Sequence, residues 1–591
     1  MLGEYNQLGM SLKATSLEMD FIINNLEGIM RRFEFRGYEI HSSRMWQMAQ
    51  VDLALEFMKE EGLNALIFHQ NDLVDQMVFP EKYYDNDVMW ERWPVRRQGV
   101  LYQRDYLNGV IRKAKALGIG FYPEIKEIYT VESIFELKPD LRNADGTVCP
   151  NHPFWTEFLD AKFTELFSVY PDVSGVIVSL GTRESPVSIA ANRCHCERCR
   201  NTRDLDWYVN VLTAMYRPIA AAGKVLIVRD FAYTAEQQSL MIQACEQVSD
   251  DIIIALKAQP HDYYPTFPTN PEIGHTGKLR EYIEFDTWGQ YFGMGVSPMS
   301  LVEDMKERLE ICYEKGAAGA WFRTDWELVH DASVHCSPSM VNLYAGAMLT
   351  WDLDTETDEI YRRWVSKGLY SPLKTASCLQ KNEVPANPEA WKKLKDFMKA
   401  SWEAFAKAAY IRGHQYLESD QPPYTIDKAF EIMTVIHSRD DWDPGASSRV
   451  SVTPDNMEFI FREKKEAISQ TEALYDILDI NSLGVSDSFA ADMKAAIDCM
   501  VLFARFCDIT TRAMYLTVYA EQTRYEDDLK AAEGTLDELY GIARQIEDAF
   551  DGTFYPYYLY SRLHPLRIRR FAEDVARRLK LKEEKVCSTL Y

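Results

Sequence analysis

The sequence contains no run of about eighteen apolar residues, the length that a transmembrane helix requires. Its first 25 residues also lack the basic segment and following apolar segment of a secretory signal, so we expect a cytoplasmic protein. Positive charge is scarce: 65 Lys and Arg stand against 90 Asp and Glu, a net charge of −25. Because such a field repels phosphate backbones and anionic lipids, we expect neither nucleic acid nor a membrane surface as a partner.

Internal repeats and low-complexity tracts are absent too, and cysteine is sparse, with 11 residues in a chain of 591. Cysteines spread this thinly in a long acidic chain do not indicate a disulfide framework. Hydrophobic side chains are plentiful, at 47% of all residues, which is enough for a large core. A chain of this length exceeds one compact domain, so we expect two main structural units.

From residue 35 onward, short β-branched or aromatic runs alternate with amphipathic helical stretches, a pattern typical of parallel strands joined by crossover helices. Eight such runs within about 290 residues match the size of one closed (β/α)8 barrel. The predicted strands are Phe35–Ile40, Asn64–Phe68, Gly118–Tyr122, Gly175–Val178, Lys224–Val228, Ile252–Leu256, Tyr282–Phe285 and Gly319–Phe322. The predicted helices between them include Val51–Glu61, Tyr102–Leu117, Phe154–Val169, Leu205–Ala222, Ala235–Val248 and Leu301–Lys315.

After Trp351 the strand pattern largely stops, and the remaining sequence has the period of helices. We therefore predict a helical N-terminal extension over residues 1–34, a catalytic barrel over 35–350 and an all-α domain over 351–591. The predicted helices of the last domain are Trp391–Tyr410, Asp427–Ile436, Pro454–Leu478, Ser488–Tyr525 and Leu566–Lys582.

The residues that follow the predicted strands combine carboxylates, cations and aromatic rings, at the end of a barrel where catalytic residues lie. This mixture suits glycoside hydrolysis, in which one carboxylic acid protonates the leaving oxygen and a second carboxylate activates water or attacks the sugar. Arg or Lys would hold a sugar carboxylate. The alternative is that barrel rims are polar because they are solvated. The candidate residues are His41, Arg183, Glu184, Arg229, Lys257, Asp262, Trp288, Gln290, Arg323 and Asp325.

Five segments between Leu117 and Trp364 carry a family resemblance. They are Val176-Ile-Val-Ser-Leu-Gly-Thr-Arg-Glu-Ser185, Val228-Arg-Asp-Phe-Ala-Tyr233, Leu256-Lys-Ala-Gln-Pro-His-Asp262, Glu284-Phe-Asp-Thr-Trp-Gly-Gln-Tyr-Phe-Gly293 and Leu349–Trp364. In their order and spacing they resemble the catalytic core of the family 67 α-glucuronidases. Each segment alone is a weak signal, and the five together are specific.

The resemblance implies an inverting glycosidase that acts on an α-linked uronic acid. It assigns Glu184 as the general acid and Asp262 as a candidate general base, with Arg229 and Lys257 as ligands of the uronate carboxylate. These four residues are also among the candidates chosen by position alone. A homodimer through the helical domain is a further implication.

Three departures from the family pattern leave the substrate open. Gln290 stands where the family has a second candidate base, and an amide cannot accept a proton at neutral pH. Leu180 replaces a basic residue four positions before the acid, with Arg183 as a substitute. The family's N-terminal β domain has no counterpart among the 34 residues before the first predicted strand.

Two other functions therefore stay in consideration beside an exo-acting uronidase. A sialidase would place Arg183, Arg229 and Arg323 around the sugar carboxylate, with His41 or His152 in proton transfer. A sugar-binding protein that has lost hydrolysis would explain Gln290. Turnover of a uronide or a sialoside would discriminate among the three.

Cys194, Cys196 and Cys199 lie within six residues just after the loop of the fourth strand, and Cys149 lies in the preceding long loop. Four thiolates in this arrangement suit a tetrahedral structural zinc ion. Free thiols and a redox role are the alternatives. Four cysteine ligands leave no open coordination position, so we expect no metal or other cofactor in catalysis.

Overall fold

A computed structural model describes residues 30–185, 187–190, 194–328, 333–371, 382–551 and 562–580. Eight parallel strands form a closed barrel in sequence order, and Phe35 of the first strand pairs with Gly319 of the last. All eight predicted strands are confirmed. Their bounds are β1 Phe35–Ile40, β2 Ala65–His69, β3 Gly120–Lys126, β4 Gly175–Leu180, β5 Val225–Asp230, β6 Ile253–Lys257, β7 Arg280–Asp286 and β8 Gly319–Arg323.

The barrel interior has an apolar floor. Every second residue of a strand points inward, and the inward side chains nearest the amino ends pack together as a separate core. Gly37 is required in this layer, because a Cβ atom there would lie 2.4 Å from Cβ of Trp321. The floor consists of Phe35, Ala65, Ile67, Ile177, Ile227, Ile253, Ala255, Tyr282 and Trp321.

The next inward-pointing residue of each strand, towards its carboxyl end, is polar. On β2, for example, buried Ile67 is followed by His69, and on β5 Ile227 is followed by Arg229. Several strands extend beyond their predicted ends to include these residues. The charged groups among them pair with one another inside the barrel. The polar layer comprises Glu39, His69, Glu124, Ser179, Arg229, Lys257, Glu284 and Arg323, all buried.

Helices surround the barrel and match the predicted ones to within a turn or two. Their bounds are α1 Met48–Glu61, α2 Leu73–Met77, α3 Asn86–Arg92, α4 Pro94–Ala116, α5 Ser133–Leu137, α6 Phe154–Val169, α7 Glu197–Arg200, α8 Asp204–Ala221, α9 Ala235–Val248, α10 Val302–Glu314 and α11 Met340–Trp351. The predicted N-terminal helix falls mostly on residues 1–29, outside the described residues, and residues 30–34 contain no helix.

The described chain after Trp351 is almost entirely helical, apart from the two-residue strands β9 Tyr410–Ile411 and β10 His414–Gln415. The sequence pattern did not predict Glu526–Phe550, which packs against the long helix before it. The helices are α12 Thr357–Lys367, α13 Ala390–Ala409, α14 Ile426–Glu431, α15 Pro454–Glu472, α16 Leu474–Leu478, α17 Asp487–Thr523, α18 Glu526–Phe550 and α19 Pro565–Arg578.

Candidate active site

A cavity of about 280 Å³ lies directly on the polar layer at the carboxyl end of the barrel, and we call it the inner cavity. It contains three carboxylates, four cationic side chains and several aromatic rings. Its lining residues are His41, Lys126, Glu184, Arg229, Phe231, Ala232, Tyr233, Lys257, His261, Asp262, Tyr263, Gln290, Tyr291, Arg323, Glu327, Ile436 and His437.

Arg229 is fixed at the base of the inner cavity by partners on neighbouring strands. Its Nε donates to Glu284 Oε2 at 2.7 Å, one terminal nitrogen donates to Ser179 Oγ at 3.1 Å, and the other donates to Tyr263 Oη at 2.6 Å and to Glu284 Oε1 at 2.9 Å. Glu124 Oε1 lies 3.2 Å from Nε. These contacts occupy nearly all the guanidinium donors. Arg229 is therefore a structural centre of the layer and has little capacity left for a substrate carboxylate.

The pKa values of the carboxyl groups near Arg229 are shifted in different directions. Burial opposes ionisation of Glu284, but Arg229 outweighs it and lowers the pKa of that carboxyl. Burial raises the pKa of Glu124 to about 7, with Arg229 acting in the opposite direction. Burial also raises the pKa of Glu39, and the neighbouring Glu124 adds to this effect. The layer thus favours one ionised carboxylate against the guanidinium and protons on the others.

Two histidines connect this layer to the cavity. The rings of His41 and His69 stack with centroids 3.5 Å apart. Nδ1 of His69 lies 2.8 Å and Nδ1 of His41 lies 3.2 Å from the same oxygen, Oε1 of Glu39. Nε2 of His41 lies 3.3 Å from Oε2 of Glu327 at the cavity wall. Burial, together with the nearby cations, lowers the pKa of both imidazoles, so both rings are neutral hydrogen-bonding groups.

Glu184 lies in the loop after β4, and its side chain is 39% exposed. Its Oε2 is 3.5 Å from Nζ of Lys126, a side chain that is only 2% exposed. Thr182 Oγ1 accepts a hydrogen bond from the Glu184 backbone N–H at 2.9 Å, which fixes the turn. Burial lowers the pKa of Lys126, and Glu184 opposes that shift.

Asp262 lines the same cavity from the loop after β6, with a left-handed backbone at φ 48°. A non-glycine residue in this region costs about 1–3 kcal/mol and is held there by its surroundings. Lys257 Nζ donates to Asp262 Oδ1 at 3.3 Å, and Tyr291 Oη donates to Oδ2. Burial would raise the pKa of Asp262, but Lys257 and Tyr291 outweigh it and hold the pKa below its ordinary value. Asp262 is therefore an ionised carboxylate.

Gln290 and Arg323 also line the inner cavity and are hydrogen-bonded to each other. A terminal nitrogen of Arg323 donates to Gln290 Oε1 at 2.6 Å, and its Nε donates to the Asp325 carbonyl at 3.0 Å. Gln290 Nε2 donates to Tyr291 Oη at 3.0 Å. Gln290 thus connects Arg323 to the tyrosine that holds Asp262, and it acts as a positioning residue.

The helical region after the barrel completes the cavity. His437 and Ile436 line it, and His437 Nδ1 lies 2.6 Å from Nε2 of His261. Ser419 Oγ accepts a hydrogen bond from Gln290 Nε2 at 3.4 Å. Tyr410 Oη donates to the Tyr291 carbonyl at 2.6 Å. The site is therefore assembled from residues more than 150 positions apart in the sequence.

Three predicted binding residues lie outside the inner cavity. Trp288 is 1% exposed and packs under Gly295, where an added Cβ would lie 2.3 Å from its Nε1. Asp325 is buried, and its carboxylate accepts hydrogen bonds from His41 N at 2.5 Å and Ser42 Oγ at 2.6 Å. Arg183 lies over the Tyr233 ring, with Cζ 5.3 Å from the centroid, and lines a neighbouring cavity.

That neighbouring cavity, which we call the outer cavity, has a volume of about 740 Å³ and is lined mainly by loop residues. Glu184 lines both cavities and therefore stands at their junction. His152 lines neither and has its Nδ1 3.2 Å from the Phe154 N–H. The lining residues are Asp72, Tyr129, Thr130, Val131, Glu132, Phe135, Arg142, Gly146, Thr147, Val148, Arg183, Glu184 and Ser185.

The selected candidates left out several residues of the inner cavity. Lys126 and Glu327 lie in the polar segments that follow the predicted strand ends Tyr122 and Phe322, so the rule that chose the candidates also covers these two. Phe231 lies in the segment after the predicted fifth strand, and in the structure the Lys126 and Lys257 Nζ atoms lie 4.3 Å and 4.5 Å from its ring centroid. Nothing in the local sequence marks Ile436 and His437, because they enter from the distant helical region.

The sulfur atoms of Cys149, Cys194, Cys196 and Cys199 all lie within 4.8 Å of one another, next to the outer cavity. A second group with metal-binding geometry in the described part of the chain is Glu39, His41 and His69. Glu39 Oε2 there accepts a hydrogen bond from Trp321 Nε1 at 2.9 Å, so this group is already bonded within the polar layer.

No family model and no curated protein matches this sequence. A solved structure of a family 138 glycoside hydrolase that targets pectin rhamnogalacturonan II aligns with a TM-score of 0.57 at 11% identity, over 88% of this chain and 63% of that chain. The O-GlcNAc hydrolase of Thermobaculum terrenum, solved as a mutant, aligns with a TM-score of 0.44 at 13% identity, over 92% and 95% of the two chains. The first likeness shows the fold, a (β/α)8 barrel followed by a helical region, and this chain spans less than two thirds of that protein.

Across the described residues, no helix has the length and hydrophobicity needed to cross a membrane.

Proposed function

We propose that this protein is an exo-acting, inverting glycoside hydrolase that releases a terminal acidic sugar, an α-linked uronic acid. The observation that carries the proposal is the pair of carboxylates in the inner cavity: Glu184 is 39% exposed at the cavity junction, whereas Asp262 is 22% exposed and accepts hydrogen bonds from Lys257 and Tyr291. Two carboxyl groups with different environments are what an acid and a base require.

Asp262 is suited to be the general base. It is ionised, and its backbone conformation and its contacts with Lys257 and Tyr291 fix the direction of the carboxylate. In the proposed reaction Asp262 removes a proton from a water molecule as the water oxygen bonds to the anomeric carbon. The configuration at that carbon inverts, and the glycosidic C–O bond breaks.

Glu184 is suited to be the general acid, because it lies where the two cavities meet. A sugar in the inner cavity would place its glycosidic oxygen at this junction, with the leaving group in the outer cavity. Glu184 then delivers the proton that the departing oxygen needs.

Lys126 and Lys257 are the proposed ligands of the sugar carboxylate. Both ammonium groups lie within 4.5 Å of the Phe231 ring centroid, on the floor of the inner cavity. Arg229, which the family resemblance implies as a ligand, is occupied by Glu284, Ser179 and Tyr263. Lys126 replaces it in our proposal. An exo-acting mode follows from a cavity that ends on the polar layer, since a chain could enter it only by its terminus.

The three arginines of the sialidase alternative do not converge. Arg229 and Arg323 line the inner cavity, whereas Arg183 lines the outer one. The uronidase therefore has the stronger support.

The test is turnover of aryl α-uronides, aldouronic oligosaccharides, an aryl sialoside and a neutral aryl glycoside, with the released anomer identified by NMR at early times. We expect the β-anomer of a free uronic acid. Release of the α-anomer would contradict inversion, turnover of the sialoside alone would support the sialidase, and binding without turnover would support the sugar-binding alternative.

A matched pair of variants tests the ligand of the sugar carboxylate. Lys126→Met should lower kcat/KM for the uronide by about 10–100-fold, the effect of losing a charged hydrogen bond. Its effect on a neutral glycoside should be smaller. Lys82→Met is the control, because Lys82 is an exposed residue that pairs with Glu157. This variant should leave both activities unchanged. Equal losses on the two substrates would remove Lys126 from the recognition of the carboxylate.

A further inference from the structure

The four cysteines beside the outer cavity come from two loops that are distant in the sequence. Cys149 lies in the long connection between β3 and α6. Cys194 and Cys196 lie between β4 and α7, and Cys199 lies in α7. The Cys149 sulfur lies 3.6 Å from that of Cys196 and 3.5 Å from that of Cys199. All four sulfur atoms lie within 4.8 Å of one another. We propose that they bind one structural zinc ion, which joins the two loops.

The distances fit a metal centre better than disulfides. Four sulfurs at about 2.3 Å from a tetrahedral zinc ion lie about 3.8 Å from one another. A disulfide requires about 2.05 Å between the sulfurs. The observed separations are thus close to the edge of a zinc tetrahedron, and the whole set is compact enough for one ion.

The surroundings supply the hydrogen bonds that metal-bound thiolates accept. Asn143 Nδ2 donates to Cys194 Sγ at 3.1 Å, and Asn151 Nδ2 donates to Cys199 Sγ at 3.4 Å. The Cys199 backbone N–H donates to Cys196 Sγ at 3.5 Å, across the turn that begins α7. Donors outside the ligand set orient the sulfurs and stabilise their negative charge. Each of three sulfurs thus has a donor aimed at it.

The chemistry of four thiolates selects the ion. Soft sulfur ligands in a tetrahedral set are typical of zinc, and four protein ligands leave no position for water or substrate. The proposed role is therefore structural. Zinc requires no electron transfer, so the site forms by loss of thiol protons alone.

The site has a consequence for the outer cavity. Residues 146–148, directly before Cys149, line one side of that cavity, and residues 183–185 from the β4 loop line another. Ser185 Oγ donates to the Ile128 carbonyl at 2.6 Å, which holds the second loop to the first at its near end. The zinc ion would hold the two loops together at the far end. It would thus position the segment that carries Glu184 without contacting the substrate.

The experiment begins with elemental analysis of the full-length protein purified without chelators. We expect one zinc ion per chain. Absence of metal, one iron ion in place of zinc, or an intact mass under non-reducing conditions that shows a disulfide among these four cysteines would each overturn the proposal. Because the wild-type protein is measured, the result does not depend on any variant folding.

Variants then locate the ion. Cys196→Ser should lower the zinc content to well below one equivalent and lower the Tm, whereas Cys245→Ser, at a buried position of helix α9, should keep one equivalent. Hydrogen exchange of residues 142–149 and 194–200 should accelerate only in Cys196→Ser. If Cys196→Ser does not fold, zinc released from the wild-type protein by a thiol-blocking reagent should equal one per four cysteines modified in these two loops. Full zinc retention in Cys196→Ser, or zinc release without modification of these cysteines, would contradict the assignment.

Discussion

The inner and outer cavities are built in different ways. The inner cavity stands on strand ends, and its charged groups are bonded to one another, with Arg229 alone contacting Glu284, Glu124, Ser179 and Tyr263. The outer cavity is lined mainly by loops, where Arg142 hydrogen-bonds to exposed Glu132. At a strand end, the register of the barrel determines where a side chain lies. A side chain in a loop needs further contacts to hold its position. The first cavity is therefore suited to chemistry and the second to a variable leaving group.

The largest expected effect is a loss of hydrolysis when Glu184, at the junction of the two cavities, is replaced. Glu184→Gln should slow hydrolysis of an oligosaccharide by about 10²–10⁴-fold, since its leaving oxygen needs a proton. The loss should be smaller on an activated aryl glycoside. Asp262→Asn should slow both substrates about equally, because both need an activated water.

These losses are measured as kcat/KM on the two substrates. Glu472→Gln is a control, because this exposed carboxylate pairs with Arg505 in the helical region and lines neither cavity. Wild-type turnover of an oligosaccharide by Glu184→Gln would exclude Glu184 as the acid.

The second prediction concerns the rigidity of the inner cavity. Arg229→Met should lower the free energy of unfolding by about 3–5 kcal/mol, because it leaves the ionised Glu284 buried without its cation. Urea unfolding is the measurement. Arg203→Met removes an exposed pair with Asp206 and should leave the free energy of unfolding almost unchanged. Similar small losses in both variants would mean that the polar layer does not depend on Arg229.

The sequence predicted the inner cavity better than the outer one, and the reason is geometric. The end of a barrel strand places its next polar residues on one rim, so Glu184, Asp262 and Lys257 could be selected without a structure. Side-chain direction beyond the strand end depends on the loop. Trp288 precedes three glycines with positive φ, at 289, 293 and 295, and the resulting turns bury its ring beneath the rim.

The helical region shows the second limit. Its helices could be predicted from their apolar period, but the residue that reaches the active site could not. His437 follows a π-helical turn at Ile432–Ile436, and it contacts His261 because the whole region packs over the barrel rim. A tertiary contact across 176 positions leaves no local pattern in the sequence.

The third prediction tests whether the outer cavity binds the leaving group of the substrate. Tyr129→Ala should raise KM for an oligosaccharide by about 2–10-fold, since this half-buried ring lines the outer cavity and a lost aromatic contact costs about 0.5–1.5 kcal/mol. An aryl uronide with a small leaving group should keep its KM. Steady-state kinetics on the two substrates decides this. If both KM values rise together, the outer cavity does not hold the leaving group.

The last prediction is a pH dependence of stability at Glu127, the residue after β3 that supports the β4 loop. Its Oε2 accepts a hydrogen bond from the Thr182 N–H at 3.4 Å, and burial raises its pKa to about 8. The folded state therefore keeps a proton that the unfolded chain loses above its ordinary pKa of about 4.5. Stability should fall as pH rises from about 4.5 to about 8, by up to about 1.4 kcal/mol per pH unit from this group.

Glu127→Gln retains the shape of the protonated acid and cannot ionise, so it should remove this part of the pH dependence. The free energy of unfolding of the variant should match the wild type near pH 4 and exceed it increasingly towards pH 8, in urea titrations at each pH. Glu56→Gln, on the exposed face of α1, should follow the wild-type curve throughout. Parallel curves for Glu127→Gln and the wild type would mean that Glu127 is ionised in the folded protein. The β4 loop would then rest on a charged support, in contrast to the neutral one that its burial predicts.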